Sequence, residues 1–171
     1  MIKIKTQRLK IFSFRKNHIT KKYISWINDS SITKFSRHKK IKYDKKKAEN
    51  FYYKIKKNNH LFLGIAARKT NRLIGTSIVY RDFLRNEANI GIMIGDKKYF
   101  KKSLGYEAFK FIVKSLKKEK FKIITAGVNS KNNIGMISIA KKMKMKFIYK
   151  KPKKKIVYLG KNYVGEILFV I

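Results

Sequence analysis

The sequence predicts a single α/β (α+β) domain in which a mixed sheet is covered by helices. Three observations lead there. The chain has 171 residues, 44% hydrophobic and 13% aromatic, enough to bury one core and too apolar for a disordered chain. Apolar residues recur with period two in some stretches and at helical spacing in others, in the order βαα, βββ, αβ, αβ and a closing β pair. No internal repeat or linker divides residues 1–171, and proline occurs once.

The elements follow in order. Arg8 to Phe14 alternates polar and apolar residues, as a strand does. Behind the cap-type residues of Asn17 to Thr20, Ile19, Tyr23, Trp26 and Ile27 recur at helical spacing, with Trp26 a core residue. Asn28 to Ser31 reads as a terminating turn and Ile32 to Tyr43 as an irregular basic stretch. Ala48, Phe51, Tyr52 and Ile55 share one face of a helix over 45–57. His60 to Ala67 and Arg72 to Tyr80 are apolar strands joined by a hairpin turn, and Arg81 to Asn86 is a polar loop. A strand from Asn89 to Gly95 leads through a basic turn into a helix with Leu104, Ala108, Phe111, Ile112, Ser115 and Leu116 on one side. Ile123 to Val128 is a short buried strand. Asn132 and Asn133 can cap a helix running to about Met143, and Phe147 to Tyr149 is strand again. The end reads as a hairpin of 156–159 with 163–171 around Gly160 to Asn162.

Composition narrows function. With no cysteine there is no disulfide, thiolate metal site or thiol nucleophile. His18, His38 and His60 are scattered without ligand spacing, so no metal is expected. No run approaches the roughly 18 apolar residues of a membrane span, and the start, MIKIKTQRLK, lacks the apolar segment of a signal peptide. The expected compartment is the cytoplasm. Forty-five Lys and Arg stand against nine acids, a net charge of +36, which favours anionic partners. Only seven of the 45 are arginine, the residue suited to forked phosphate and base contacts. Lys, Asn, Ile, Tyr and Phe are abundant together and share AT-rich codons, so genome composition is a cheaper explanation of the charge than selection for nucleic-acid binding.

The stretch Asn89 to Ala108 (NIGIMIGDKKYFKKSLGYEA) carries the strongest chemical signal. A strand feeding a helix through a basic turn presents unpaired backbone N–H groups where positive charge is concentrated. Lys101, Lys102, Ser103, Leu104 and Gly105 form that turn and helix start, a phosphate-binding arrangement.

The order and spacing of several short matches resemble the GNAT N-acetyltransferases, most nearly the RimJ/RimL-like branch that includes ribosomal-protein N-terminal acetyltransferases. The matching residues are Thr6-Gln7-Arg8-Leu9, Trp26-Ile27-Asn28-Asp29, Leu73-Ile74-Gly75, Ile90-Gly91 through Ile94-Gly95, and Tyr99 to Ala108. The resemblance implies a mixed, mostly antiparallel twisted sheet of about seven strands flanked by about four helices. It implies acetyl-CoA as co-substrate, a primary amine as acceptor, and a monomer or homodimer. The family's Q/R-x-x-G-x-G/A loop aligns with Phe100 to Gly105, where Ser103 replaces the first glycine and Gly105 keeps the second. The family asparagine that contacts the cofactor arm matches Asn133, with Asn132 the alternative. The tyrosine seven residues later, an acid for the leaving thiolate, is Ala140 here, and Lys144-Met145 replaces the usual Gly-Phe.

The implied reaction is attack of a neutral amine on the acetyl thioester. Backbone groups around Ile92, Met93 and Ile94 would hold the cofactor. Glu87, Asn89, Gly91 and Met93 share one strand face. Glu87 is the candidate base, unless it only answers Arg81 or Arg85, and Asn89 the candidate orienter of water or substrate. Arg37-His38 is a candidate acceptor lining, and Tyr80, Tyr99 and Tyr106 are candidate proton donors. Glu107, in the first turn of its helix, suits the helix dipole whatever the function. A cationic protein repels polyamines, so the expected acceptor is an anionic amine, such as a nucleotide-linked amino sugar, or a protein N-terminus near the ribosome. The competing expectation is a degenerate domain of the same fold that binds an anionic surface such as ribosomal RNA.

Overall fold

Leu9, Ile11, Leu63, Ile65, Ile74, Val79, Ala88, Ile90 and Ile124 are all buried and lie on one side of successive strands, so the sheet is built around a continuous apolar face. A computed structural model describes residues 2–36, 41–128, 133–150, 156–158, 161–163 and 167–171; at 128, 147–150, 156–158, 161–163 and 167–169 the backbone alone is described. The elements are β1 (Lys3–Lys5), β2 (Leu9–Ser13), α1 (Lys21–Asn28), α2 (Ser30–Thr33), α3 (Lys45–Lys57), β3 (Leu61–Ala67), β4 (Leu73–Asp82) and β5 (Glu87–Ile94). They continue as α4 (Leu104–Lys118), β6 (Ile123–Val128), α5 (Ile134–Lys142), β7 (Lys146–Lys150), β8 (Ile156–Tyr158), β9 (Lys161–Tyr163) and β10 (Ile167–Val170).

The predicted mixed, mostly antiparallel α/β sheet is present. Eight strands run in the order β1-β2-β3-β4-β5-β6-β10-β7, one more than the seven expected because the lysine-rich Lys3–Lys5 pairs with β2 at the edge. Every pair is antiparallel except β5 with β6. Helix α4 buries Leu104, Ala108, Phe109, Ile112, Val113 and Leu116 against one face, each large side chain contributing about 1.5–3 kcal/mol of burial. Phe109 and Val113 sit deeper than the expected Phe111, which is only half-buried. The opposite face carries α1 and α3 around Phe14, Tyr23, Trp26, Ile55 and Phe62, with Phe14 stacked on Phe62 at 4.4 Å.

Three expectations need correction. Asn28 to Ser31 does not simply end a helix: Asp29 accepts from the Ser31 N–H at 2.8 Å and starts α2, because Asp is a helix cap as well as a turn residue. Arg81 and Asp82 extend β4, pairing with Ala88 and Glu87. The closing hairpin is β8 with β9, while β10 leaves it and inserts antiparallel between β6 and β7. That insertion satisfies the facing backbone groups of β6 and β7, a long-range requirement invisible to local periodicity. Among the described residues no helix is long and apolar enough to cross a membrane.

Candidate active site

The site begins where two parallel strands part. β5 pairs with β6 only at Glu87/Ile123, Ala88/Ile124 and Asn89/Thr125, although β5 runs on to Ile94 and β6 to Val128. At the last register Asn89 Nδ2 donates to Thr125 Oγ1 at 2.9 Å, and both side chains are buried. The Asn86 carbonyl accepts from Ile123 N–H on the β6 side, and Gly95 N–H donates to Ile74 of β4. By the alternation of an extended strand, even-numbered residues of β5 therefore turn their polar groups toward β6 and odd ones toward β4. Past the fork, the N–H and C=O groups of Ile92 and Ile94 turn to the β6 side, where no strand pairs with them among the described residues, leaving a gap there. Those of Met93 are directed to β4, where it pairs with Thr76, and its side chain packs with the α1–α3 core.

The basic turn closes one end of this gap. Asp96 accepts from Lys98 N–H at 3.2 Å and starts a 3-10 turn, Lys97–Tyr99. Lys101 and Ser103 then take left-handed conformations, with φ of 58° and 56°, which suit glycine far better than residues with a Cβ. Ser103 is the N-cap of α4 but makes no capping bond, so the first amides of the helix, Leu104, Gly105 and Tyr106, are unsatisfied among the described residues. A Cβ on Gly105 would meet only Ile139 Cδ1 at 3.5 Å and Ile94 Cγ1 at 3.9 Å. The fold thus leaves room there, next to Ile94, and alanine would even favour the helix. With no side chain at 105, a small hollow is left beside the first amides of α4.

The charge around the hollow is unbalanced. Lys101, Lys102 and Lys142 make no ion pair among the described residues. Lys142, from the end of α5, lies 3.5 Å from Ser103 Oγ and over the Tyr106 ring, while Lys102 lies over Tyr99. Nothing in the spacing of α5 identified Lys142, because its place at the turn depends on how two helices pack. Asn133 caps α5, accepting from Met136 N–H at 3.1 Å. Asn132 lies outside the described residues, as do Arg37 and His38. Ala140, at the position of the family's acid, is fully buried in the core.

The turn is held on both sides. Toward α1, Lys22 pairs with Asp96 at 2.8 Å and Lys97 with Asp29 at 2.7 Å. The Asp29 carboxyl is lowered to about 2 by hydrogen bonds from Lys97 and Ser31. Burial pulls Asp96 upward, but the bonds from Lys22 and Lys98 together leave it below its ordinary value. Toward β2, the Glu107 carboxylate accepts from Thr6 Oγ1, from Arg8 N–H at 3.1 Å and from Arg8 Nε at 2.6 Å. Burial again pulls upward, and those bonds outweigh it. Glu107 is therefore a structural clamp as well as a charge at a helix start.

On the sheet face that carries α1 and α3, Gly91 is exposed, and a Cβ there would meet nothing nearer than the Ile78 carbonyl at 3.8 Å. This open space follows Glu87 and Asn89 along the same face. Opposite Asn89 stands Tyr80, beside the Tyr43 phenol, whose pKa is raised by burial and by Tyr80. Tyr99 and Tyr106 lie on the other side, packed against the α4 core. Arg81 pairs with Glu119 and Arg85 with Asp82, so neither answers Glu87. Asp29, Asp44, Glu49, Asp82, Asp96, Glu107 and Glu119 all make ion pairs. Glu87, half-buried, is the one acid among the described residues that makes none. No group of three or more metal-ligating side chains occurs among the described residues.

Solved structures share this architecture. The acetyltransferase (GNAT family) from Bacillus anthracis superposes with a TM-score of 0.79 at 22% identity, covering 99% of this chain and 98% of that one. Spermidine N-acetyltransferase from Vibrio cholerae, in complex with CoA and spermine, gives 0.76 at 12% identity over 97% and 96%. Ribosomal-protein-alanine N-acetyltransferase from Brucella melitensis gives 0.67 at 11% over 94% and 95%. At these identities the likeness concerns the fold. No curated protein matches the chain in sequence. The model of the acetyltransferase (GNAT) domain matches residues 8–146, most of the chain, and the chain belongs to that family.

Proposed function

We propose that residues 1–171 form one acetyl-CoA-dependent N-acetyltransferase domain of the RimJ/RimL-like branch, acting in the cytoplasm on a primary amine. The observation that carries this reading is the unpaired edge of Ile92 and Ile94 beside the uncapped start of α4 at Gly105. An extended pantetheine arm bearing amides suits the first, and a pyrophosphate the second.

Acetyl-CoA supplies an activated acyl thioester. The polar groups of Ile92 and Ile94 would bond the arm and orient the acetyl carbonyl. The amides of Leu104, Gly105 and Tyr106, with Lys101, Lys102 and Lys142, would hold the phosphates. Glu87, the acid that no lysine or arginine claims among the described residues, would take the proton of the incoming ammonium. Gly91 lies about 13 Å along the strand from it, so the proton travels through water in the open space on that face. The amine nitrogen would then bond to the acetyl carbon as the C–S bond breaks. The second proton shed by that nitrogen would pass through water to the departing CoA thiolate, since alanine at 140 supplies no acid. Asn89, tied to Thr125, holds the fork in shape.

For the acceptor, the +36 charge favours an anionic amine such as a nucleotide-linked amino sugar, or a protein N-terminus, over a polyamine. A screen of such acceptors scored by released CoA tests this, and preference for spermidine overturns it. Gly105→Glu places bulk and negative charge in the hollow while meeting little of the protein itself. It is expected to abolish acetyl-CoA binding in calorimetry while the heat-unfolding midpoint stays within a few degrees; unchanged binding sinks the assignment.

Alanine at position 140, where the resemblance places a tyrosine acid, together with the net charge of +36, favours a second reading, a non-catalytic domain on an anionic surface such as ribosomal RNA. It requires RNA affinity that falls steeply with salt and no CoA release with any amine.

A further inference from the structure

The Thr6-Gln7-Arg8-Leu9 stretch leads into β2, 94 to 99 residues before the groups that Arg8 touches. Arg8 reaches across to the basic turn. Its Nη1 donates to the Lys102 carbonyl at 3.0 Å, and its Nε donates to Glu107 Oε2 at 2.6 Å. Glu107 is further fixed by Thr6 Oγ1 and by the Arg8 N–H. Lys102 lies between the two left-handed residues, Lys101 and Ser103. A residue with a Cβ takes that conformation at a cost, which contacts that hold the turn in place offset. The planar guanidinium does this by joining the carbonyl inside the turn to a carboxylate in the first turn of α4.

We propose that Arg8 is a positioning residue for the phosphate turn, and that the Arg8–Glu107 bridge does for this chain what a glycine at position 103 would do by backbone freedom alone. The bridge sets the direction of the amides at 104–106 without touching the cofactor. The inference rests on the cofactor reading above only for its effect on acetyl-CoA; the coupling of Arg8 to the turn stands on the geometry.

The test uses four proteins: the natural chain, Arg8→Gln, Ser103→Gly and the double variant. Arg8→Gln, which removes both guanidinium bonds, is expected to weaken acetyl-CoA binding about tenfold, the scale of a single charge-assisted bond, with the KM for the acceptor unchanged. Adding Ser103→Gly should recover most of that affinity, because glycine takes the left-handed conformation unaided. A merely structural role for Arg8 would lower the unfolding midpoint without this selective recovery. Wild-type affinity in Arg8→Gln, or no recovery in the double variant, overturns the proposal. Heat unfolding without ligand separates the two ideas. The midpoint lost through Arg8→Gln should be clearly smaller in the Ser103→Gly background, and an equal loss in both overturns the bridge. If that coupling is found while the natural chain binds no acetyl-CoA, the bridge stands and the cofactor reading falls.

Discussion

Asn89 Nδ2 donates to Thr125 Oγ1 at 2.9 Å at the last paired register of β5 and β6, where the two strands part. Both groups are buried, so the bond is a pin at the apex of the gap. Asn89→Ala leaves the Thr125 hydroxyl without this donor and a void beside it. A loss of about 1–3 kcal/mol is expected, measured by urea unfolding. A change below about 0.5 kcal/mol, the range of an ordinary surface substitution, counts against the pin.

The indole of Trp26 occupies the space a side chain at Gly95 would need: a Cβ there would lie 2.3 Å from Cδ2 and 2.4 Å from Cε3. The pair joins α1 to the strand end that precedes the basic turn. Gly95→Ala is expected to cost about 1–3 kcal/mol through overpacking, and Trp26→Leu in that background should recover part of it. Additive losses in the double variant would show that the two do not touch. Trp26 is the single tryptophan, so its fluorescence reports on this contact directly.

Glu87 faces Asp82 across the β4–β5 ladder, a like-charge pair that disfavours the folded state slightly. Glu87→Gln should therefore keep or slightly raise stability while lowering kcat about a hundredfold or more, as loss of a general base does. Acetyl-CoA affinity should not change. Full kcat in this variant removes Glu87 from the mechanism.

Asp29, lowered to about 2, and Asp96 and Glu107, both lowered, brace the two sides of the turn. A carboxyl depressed on folding stabilises fully above its unfolded pKa, near 4. That share is lost as pH falls through the folded value. Stability should therefore fall between about pH 5 and pH 2, and Asp29→Asn should flatten the lower part of the slope. Urea midpoints across that range check it; a flat profile from pH 5 to pH 3 contradicts it.

Much of the fold was legible in the sequence because burial is periodic. The spacing of Leu104, Ala108, Ile112 and Leu116 marks α4, and the apolar run from Leu61 to Ala67 marks a central strand. The basic turn was legible too, since glycine, lysine and a following helical pattern are local features. The position of β10 was not, because two strands in need of a partner do not specify which segment supplies it. Phe109 and Val113 escaped because a helix face drawn through Phe111 and Ser115 is rotated away from the true centre of burial.

By itself, then, the sequence determined most of the elements, the cationic field and the basic turn between a strand and a helix, all of which follow from residues near one another in the chain. Only the tertiary structure decided which groups there are committed. It set the register at which β5 and β6 separate, and so freed Ile92 and Ile94 and occupied Met93. Among the described residues it matched seven carboxylates with cations and left Glu87 apart. It brought Arg8 and Lys142 from distant segments to Ser103 and its neighbours. Hydrogen bonds and ion pairs act over a few ångströms, and distances of that size between remote residues exist only once the chain has folded.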